Sequence, residues 1–237
     1  MSLFREKPPE PAAASREPSA LQVDGSTQYL TVSLPNRDSV VYPELLAIVK
    51  DAGFQLEPTN RKWWLRDRHK VLTFLARHLQ DFREKYRAQF TPGFNQRTTQ
   101  LQFAKLTATA GGREGAFEVG IELTAPGADE EALRGAVARG QAYIETSRGL
   151  ILVNPNSAQK LAEAQRALGG PSGGGAPLAR FRRSVTAAEL PALESLLESL
   201  AVPFETPATW KTRSEALRKL DRLAPAPMDA ELSVRLR

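Results

Sequence analysis

The sequence contains no cysteine. That excludes structural disulfides, thiolate-ligated zinc and thiol catalysis. Histidine is almost as scarce: the only two, His69 and His78, fall in one expected helix, so a histidine-rich metal site is not expected. No apolar run approaches the roughly 20 residues that span a bilayer. The N-terminal stretch MSLFREKPPEPAAASREPSA lacks the apolar segment of a secretory leader. Absence of both cysteine and leader fits a cytoplasmic location. The G-x-x-x-x-G-K-[ST] phosphate loop is missing, as are an Asp-Glu-x-His box and a G-x-S-x-G elbow. The glycine-rich stretch at 169–175 (GGPSGGG) has neither the spacing nor the lysine of a phosphate loop, and reads as a linker. ATP hydrolysis by the usual loop chemistry is therefore not expected of this chain. No catalytic residue, cofactor site, metal site or small-molecule substrate is assigned.

What is present fits a folded protein. The 237 residues are enough for one large or two small domains. Apolar residues make up 41% and charged residues 25%, which supports an ordinary core. The net charge of +5 leans towards an anionic partner.

Residues 1–26 are rich in Pro, Ala and mixed charge, and are expected to form a disordered arm. The folded body is expected over 27–168, divisible into 27–97 and 98–168. Tyr29 to Leu34 alternates as a strand, and Val40, Val41, Leu45, Leu46 and Val49 follow a helical period up to Gly53. Phe54 to Arg66 reads as a hairpin turned at Pro58, with one of Trp63 and Trp64 facing the core because successive strand residues alternate. Asp67 is placed to cap a helix whose Leu72, Leu75, Leu79, Phe82 and Tyr86 form one apolar stripe. Strand 100–109 shifts its apolar phase between Phe103 and Leu106, as a bulge would. Phe117, Val119, Ile121 and Leu123 alternate cleanly, and helix 129–139, a hairpin over 142–153 and helix 156–168 follow. Asp129, Glu130 and Glu131 at a helix start complement its dipole rather than forming a metal site. A glycine-rich linker is expected at 169–176. A helical tail over 177–223 follows, with helices at 187–200 and 208–223, then a Pro/Ala linker at 224–237. The expected class is α+β, with a mixed or antiparallel sheet, packed helices and a helical C-terminal tail.

Charge is concentrated. Residues 61–97 hold ten Lys and Arg against Asp67, Asp81 and Glu84. Trp63, Trp64 and His69 interleave with Arg61, Lys62, Arg66, Arg68, Lys70 and Arg77. A nucleic-acid strand needs such a surface: bound cations release counterions, and bases stack on rings. A second cluster, Arg180, Arg182 and Arg183, surrounds Phe181 after the glycine linker. The alternative for both clusters is a solvated surface that only maintains solubility.

Residues 232–237 (LSVRLR) are similar to the first half of the "lxaxLRPYQ" segment that opens the first ATPase lobe of bacterial Swi/Snf-type DNA translocases. Residues 139–153 resemble a "G-x-x-Y-[IV]…G-x-[IVL]" hairpin ahead of that motor, through Gly140, Tyr143, Ile144 and Gly149. The helix at 156–168 and the tail with Trp210, Leu217 and Leu220 resemble the same region. The resemblance covers about residues 115–237. It implies an accessory region that precedes a DNA-stimulated ATPase core, without that core. The Cys/His zinc module of many relatives has no counterpart, and no catalytic residue is carried over.

The leading expectation is thus a non-catalytic accessory region of a Swi/Snf-like DNA-dependent ATPase. It would contact DNA without sequence specificity and dock on its own motor lobes. The alternatives are a protein-interaction scaffold without nucleic-acid binding, and a small enzyme whose few convergent catalytic groups the sequence does not reveal.

Overall fold

The computed structural model describes residues 20–113, 116–169 and 177–221. The fold is α+β, and by its contacts the chain divides into two units between Thr99 and Gln100.

The first unit is built on a five-stranded mixed sheet. Its strands are β1 (Gln22–Gly25), β2 (Leu30–Ser33), β3 (Gln55–Glu57), β4 (Lys62–Leu65) and β5 (Gln89–Phe90), in the order β3-β4-β2-β1-β5. All neighbours are antiparallel except β1 and β5. Helices α1 (Tyr42–Asp51), α2 (Arg68–Glu84) and α3 (Pro92–Arg97) complete the unit. Antiparallel partners share a face, so Leu30 with Leu65 and Val32 with Trp63 line one side. The expected α2 stripe is buried at Leu72, Leu75, Leu79 and Phe82. Asp67 caps α2, accepting from the Lys70 amide at 3.0 Å.

Three expectations change in this unit. The arm expected over 1–26 gives way to strand β1 at Gln22–Gly25, because Leu21 and Val23 are buried and β1 pairs with β2. Residues 1–19 lie outside the described residues. Helix α1 starts at Tyr42 rather than Val40, because Pro43 is tolerated only in a first turn. Val40 is left 96% exposed. Trp63 takes the core side with Val32 and Leu65, as alternation requires, but neither Trp63 nor Trp64 is fully buried. Their neighbour β3 is a three-residue edge strand, and Leu56, opposite Trp63, is itself 48% exposed.

The second unit carries two sheets. Strands β6 (Leu101–Phe103), β9 (Tyr143–Thr146) and β10 (Gly149–Leu152) form one, in the order β6-β10-β9. Strands β7 (Lys105–Arg113), β8 (Ala116–Thr124), β11 (Arg180–Val185) and β12 (Phe204–Glu205) form the other, in the order β11-β8-β7-β12. The apolar phase shift after Phe103 is therefore no bulge. The chain leaves one sheet and enters the other at Ala104, whose amide still donates to Leu152.

Helices α4 (Glu130–Ala138), α5 (Pro155–Ala167), α6 (Leu190–Ser199) and α7 (Ala208–Asp221) close a core centred on Phe117, Val119, Ile121 and Leu123. Asp129 caps α4, accepting from the Ala132 amide at 2.7 Å. The tail opens on strand rather than helix: β11 pairs with β8 from Arg180↔Glu122 to Val185↔Phe117. An apolar sheet edge beside β8 favours ladder pairing there, so residues 177–221 belong to the second unit's core rather than to a separate tail. Buried Gln165 fixes the approach to β11, donating to the Leu178 carbonyl at 2.6 Å and accepting from its amide at 3.0 Å. The carboxylate of Glu194 accepts from Trp210 Nε1, Ser214 Oγ and Arg218 at 2.6–2.9 Å, tying α6 to α7. The glycine-rich stretch at 170–176 and the stretch at 222–237, including LSVRLR, lie outside the described residues.

Candidate nucleic-acid interface

Three consecutive local structures deliver the basic cluster of the first unit. The β3–β4 turn comes first. Asn60 closes it, donating to Glu57 at 3.1 Å and accepting from the Lys62 amide at 3.0 Å. Arg61 takes a left-handed φ of 55° at the turn's end. Strand β4 then carries Lys62, Trp63 and Trp64, with Arg66 just beyond it. Asp67 starts α2, which carries Arg68, His69, Lys70 and Arg77. Lys70 and Arg77 are seven residues apart, about two helical turns, and so lie on one face.

Trp64 has two neighbours. Tyr29 stacks on it at 6.1 Å between ring centroids, 21° from parallel. The Arg66 guanidinium lies 4.9 Å from the indole centroid, within cation–π range. The buried Trp64 Nε1–H has no acceptor among the described residues. Tyr29 is a participant that its sequence position does not reveal. It precedes β2, and only the register Thr31↔Trp64 brings it beside the indole.

Two recesses flank this cluster. One, of about 600 Å³, is walled by β3, Pro58, Trp64, Arg66, Asp67 and Lys70. The other, of about 450 Å³, runs along α1 and α2 past Asp51, His69, Lys70, Phe74, Arg77 and His78. Gly53 and Lys70 line both recesses. Burial pushes the His78 imidazole below its ordinary pKa, and the Arg77 charge adds to this. His78 therefore meets the recess as a neutral ring at neutral pH, packed 5.1 Å from Phe74.

The cations of the two units are used differently. Lys62, Arg66, Lys70 and Arg77 make no ion pair among the described residues. Arg61, Arg68 and His69 have interactions of their own. Further along the first unit the bases are structural: Lys85 pairs with Glu44 at 2.7 Å, and Arg97 donates to the Gly25 carbonyl at 3.2 Å. In the second unit, Arg180 pairs across the ladder with Glu122 at 2.8 Å. Arg183 donates to Glu189 and to the Leu168 carbonyl, each at 2.9 Å. Arg182 is exposed on β11, its stem against Gly120, and makes no ion pair among the described residues. The structure thus brings Arg61, Lys62, Trp63, Trp64, Arg66, Arg68, Lys70 and Arg77 onto contiguous elements of one unit. Arg180, Arg182 and Arg183 sit on a strand of the other.

Among the described residues, no group of His, Asp and Glu side chains could hold a metal ion, and no helix is long and apolar enough to cross a membrane. Comparison with protein-family models, with curated proteins and with solved structures gave no match.

Proposed function

We propose that this chain is a non-catalytic, DNA-contacting accessory region of a bacterial Swi/Snf-like DNA-dependent ATPase, acting in the cytoplasm. Its first unit contacts nucleic acid without sequence specificity, and its second unit docks on the motor lobes. One observation carries the nucleic-acid reading. Lys62, Arg66, Lys70 and Arg77 lie on or beside the consecutive elements β4 and α2 of one unit and make no ion pair among the described residues. An ion-paired base must give up its carboxylate to reach a phosphate, whereas one without an ion pair can directly displace the cations condensed on the nucleic-acid backbone. The motor association rests on the resemblance of residues 115–237 alone.

The test is binding of the chain to labelled DNA across a salt series. Affinity should fall steeply with salt, and the Arg66→Glu/Lys70→Glu variant should bind weakly with a shallower salt slope. Salt-independent binding, or a variant that binds as well as the parent, would remove the nucleic-acid reading.

A scaffold that binds only protein is the second reading. It is favoured by Val40, Val41 and Leu56, which leave apolar surface exposed on the same unit. Contact through that surface would persist at high salt.

A further inference from the structure

We infer that the two neighbouring recesses of the first unit take a single strand of nucleic acid, with unstacked bases inside and the backbone on the surrounding cations. This rests on the nucleic-acid reading above and names the kind of nucleic acid bound.

The first argument is shape. Recesses of about 600 and 450 Å³ fall in the size range of small-ligand clefts, roughly 300–1,000 Å³. A duplex keeps its bases stacked and offers phosphates on a convex surface, so it could fill neither recess without extruding a base. A single strand can place a base in each.

The second argument is charge. The walls hold Arg66, Lys70 and Arg77, but also Asp51, Glu57 and Asp67. A lining of mixed sign offers more than a phosphate trough. It suits base edges, whose amino groups donate to carboxylates while their ring nitrogens and carbonyls accept from Lys and Arg. Outside the recesses the balance changes: Arg61, Lys62 and Arg68 lie on the same hairpin and helix start, where a backbone would pass.

The third argument is the apolar component. Leu56, 48% exposed, stands with Pro58 and Trp64 in one recess, and Phe74 with neutral His78 in the other. Flat or apolar groups set among cations match a ligand that alternates base and phosphate.

The experiment uses the whole chain and labelled oligonucleotides of roughly twelve nucleotides, as single-stranded DNA, single-stranded RNA and a blunt DNA duplex, at low and moderate salt. Single strands should bind about tenfold tighter than the duplex and quench tryptophan emission. The DNA and RNA arms identify which sugar is preferred. Leu56→Ser removes an exposed apolar wall without altering charge or core, and should cut the single-strand preference several-fold. Trp64→Phe should remove most of the quenching, and a thermal melt of each variant separates misfolding from lost contact. Equal or tighter duplex binding, with emission unchanged, would overturn this inference and leave the proposed function standing. Absence of binding to all three oligonucleotides at low salt would overturn both.

Discussion

Residues 20–99 carry 12 Lys and Arg against 8 Asp and Glu, whereas residues 100–221 carry 14 of each. The difference in use is larger than the difference in number. In the second unit Arg134, Arg180, Arg183 and Arg218 each close on a carboxylate within 3 Å. In the first, the excess falls on the hairpin and the start of α2, where Asp67 is the only acid among residues 61–70 and is already engaged as a cap. The same residue type is thus architecture at Arg134, Arg180, Arg183 and Arg218 of the second unit and display at Lys62, Arg66, Lys70 and Arg77 of the first. Pairing depends on which acids the strand register sets opposite, so it cannot be counted from composition.

That contrast can be broken most forcefully in the second unit. Glu194→Ala leaves Trp210 Nε1, Ser214 Oγ and Arg218 without their shared acceptor. It should cost roughly 2–4 kcal/mol of that unit's stability, read as a lower urea midpoint from Trp210 emission. Oligonucleotide binding should be unaffected. A parallel loss of binding would mean that the two units do not divide the work as described.

Charge reversal gives the next largest effect. Arg66→Glu/Lys70→Glu should weaken oligonucleotide binding by about one to two orders of magnitude at low salt, with the single-strand salt slope reduced by about 1.4. Arg180→Glu/Arg183→Glu breaks two ion pairs and should lower the melting temperature while changing affinity much less. Exchange of these two outcomes would reverse the assignment of display and architecture.

A smaller effect is pH dependence. His78 has a folded pKa below its unfolded value because burial disfavours the charged ring. The unfolded state therefore binds the proton first, and stability falls as pH drops from about 7 towards 5. The Asp24 carboxyl, held low chiefly by the Thr91 hydroxyl, contributes only below about pH 4, so the two windows separate. Urea midpoints at pH 7.5 and 5.5 should differ in the parent and converge in His78→Gln.

Asp67→Ala should give the smallest change, with opposite signs in two assays. Loss of the α2 cap lowers the midpoint slightly. Removal of the only acid in the cluster raises oligonucleotide affinity a few-fold at low salt. A variant that loses both would show Asp67 to be a contact rather than a cap.

Much of the fold could be read along the chain. The alternation at Phe117–Leu123 became β8, the stripe from Leu72 to Phe82 became the buried face of α2, and Asp67 and Asp129 became caps. Gly53, expected just past a helix, has φ +83° there. The misses share one cause. Strand β1 follows a Pro/Ala-rich stretch, β11 carries Arg180, Arg182 and Arg183, and β5 and β12 are two residues each. Each carries too few apolar residues for its alternation to stand out in the sequence, and pairing with a neighbouring strand sets it in place. Of the candidate interface, the cluster of cations and tryptophans was legible. Its recesses and the Tyr29 stack were not.

Sequence by itself determined what is local: the missing cysteine chemistry, the helix caps, the apolar stripes and the excess of cations between Arg61 and Lys70. These depend on side-chain chemistry and on spacings of a few residues. Tertiary structure alone decided which cations are paired, where the chain changes sheets at Ala104, and that β3, α1 and α2 line two neighbouring recesses. Those features rest on contacts between residues tens of positions apart, and strand register and helix packing set such contacts rather than any pattern within one segment.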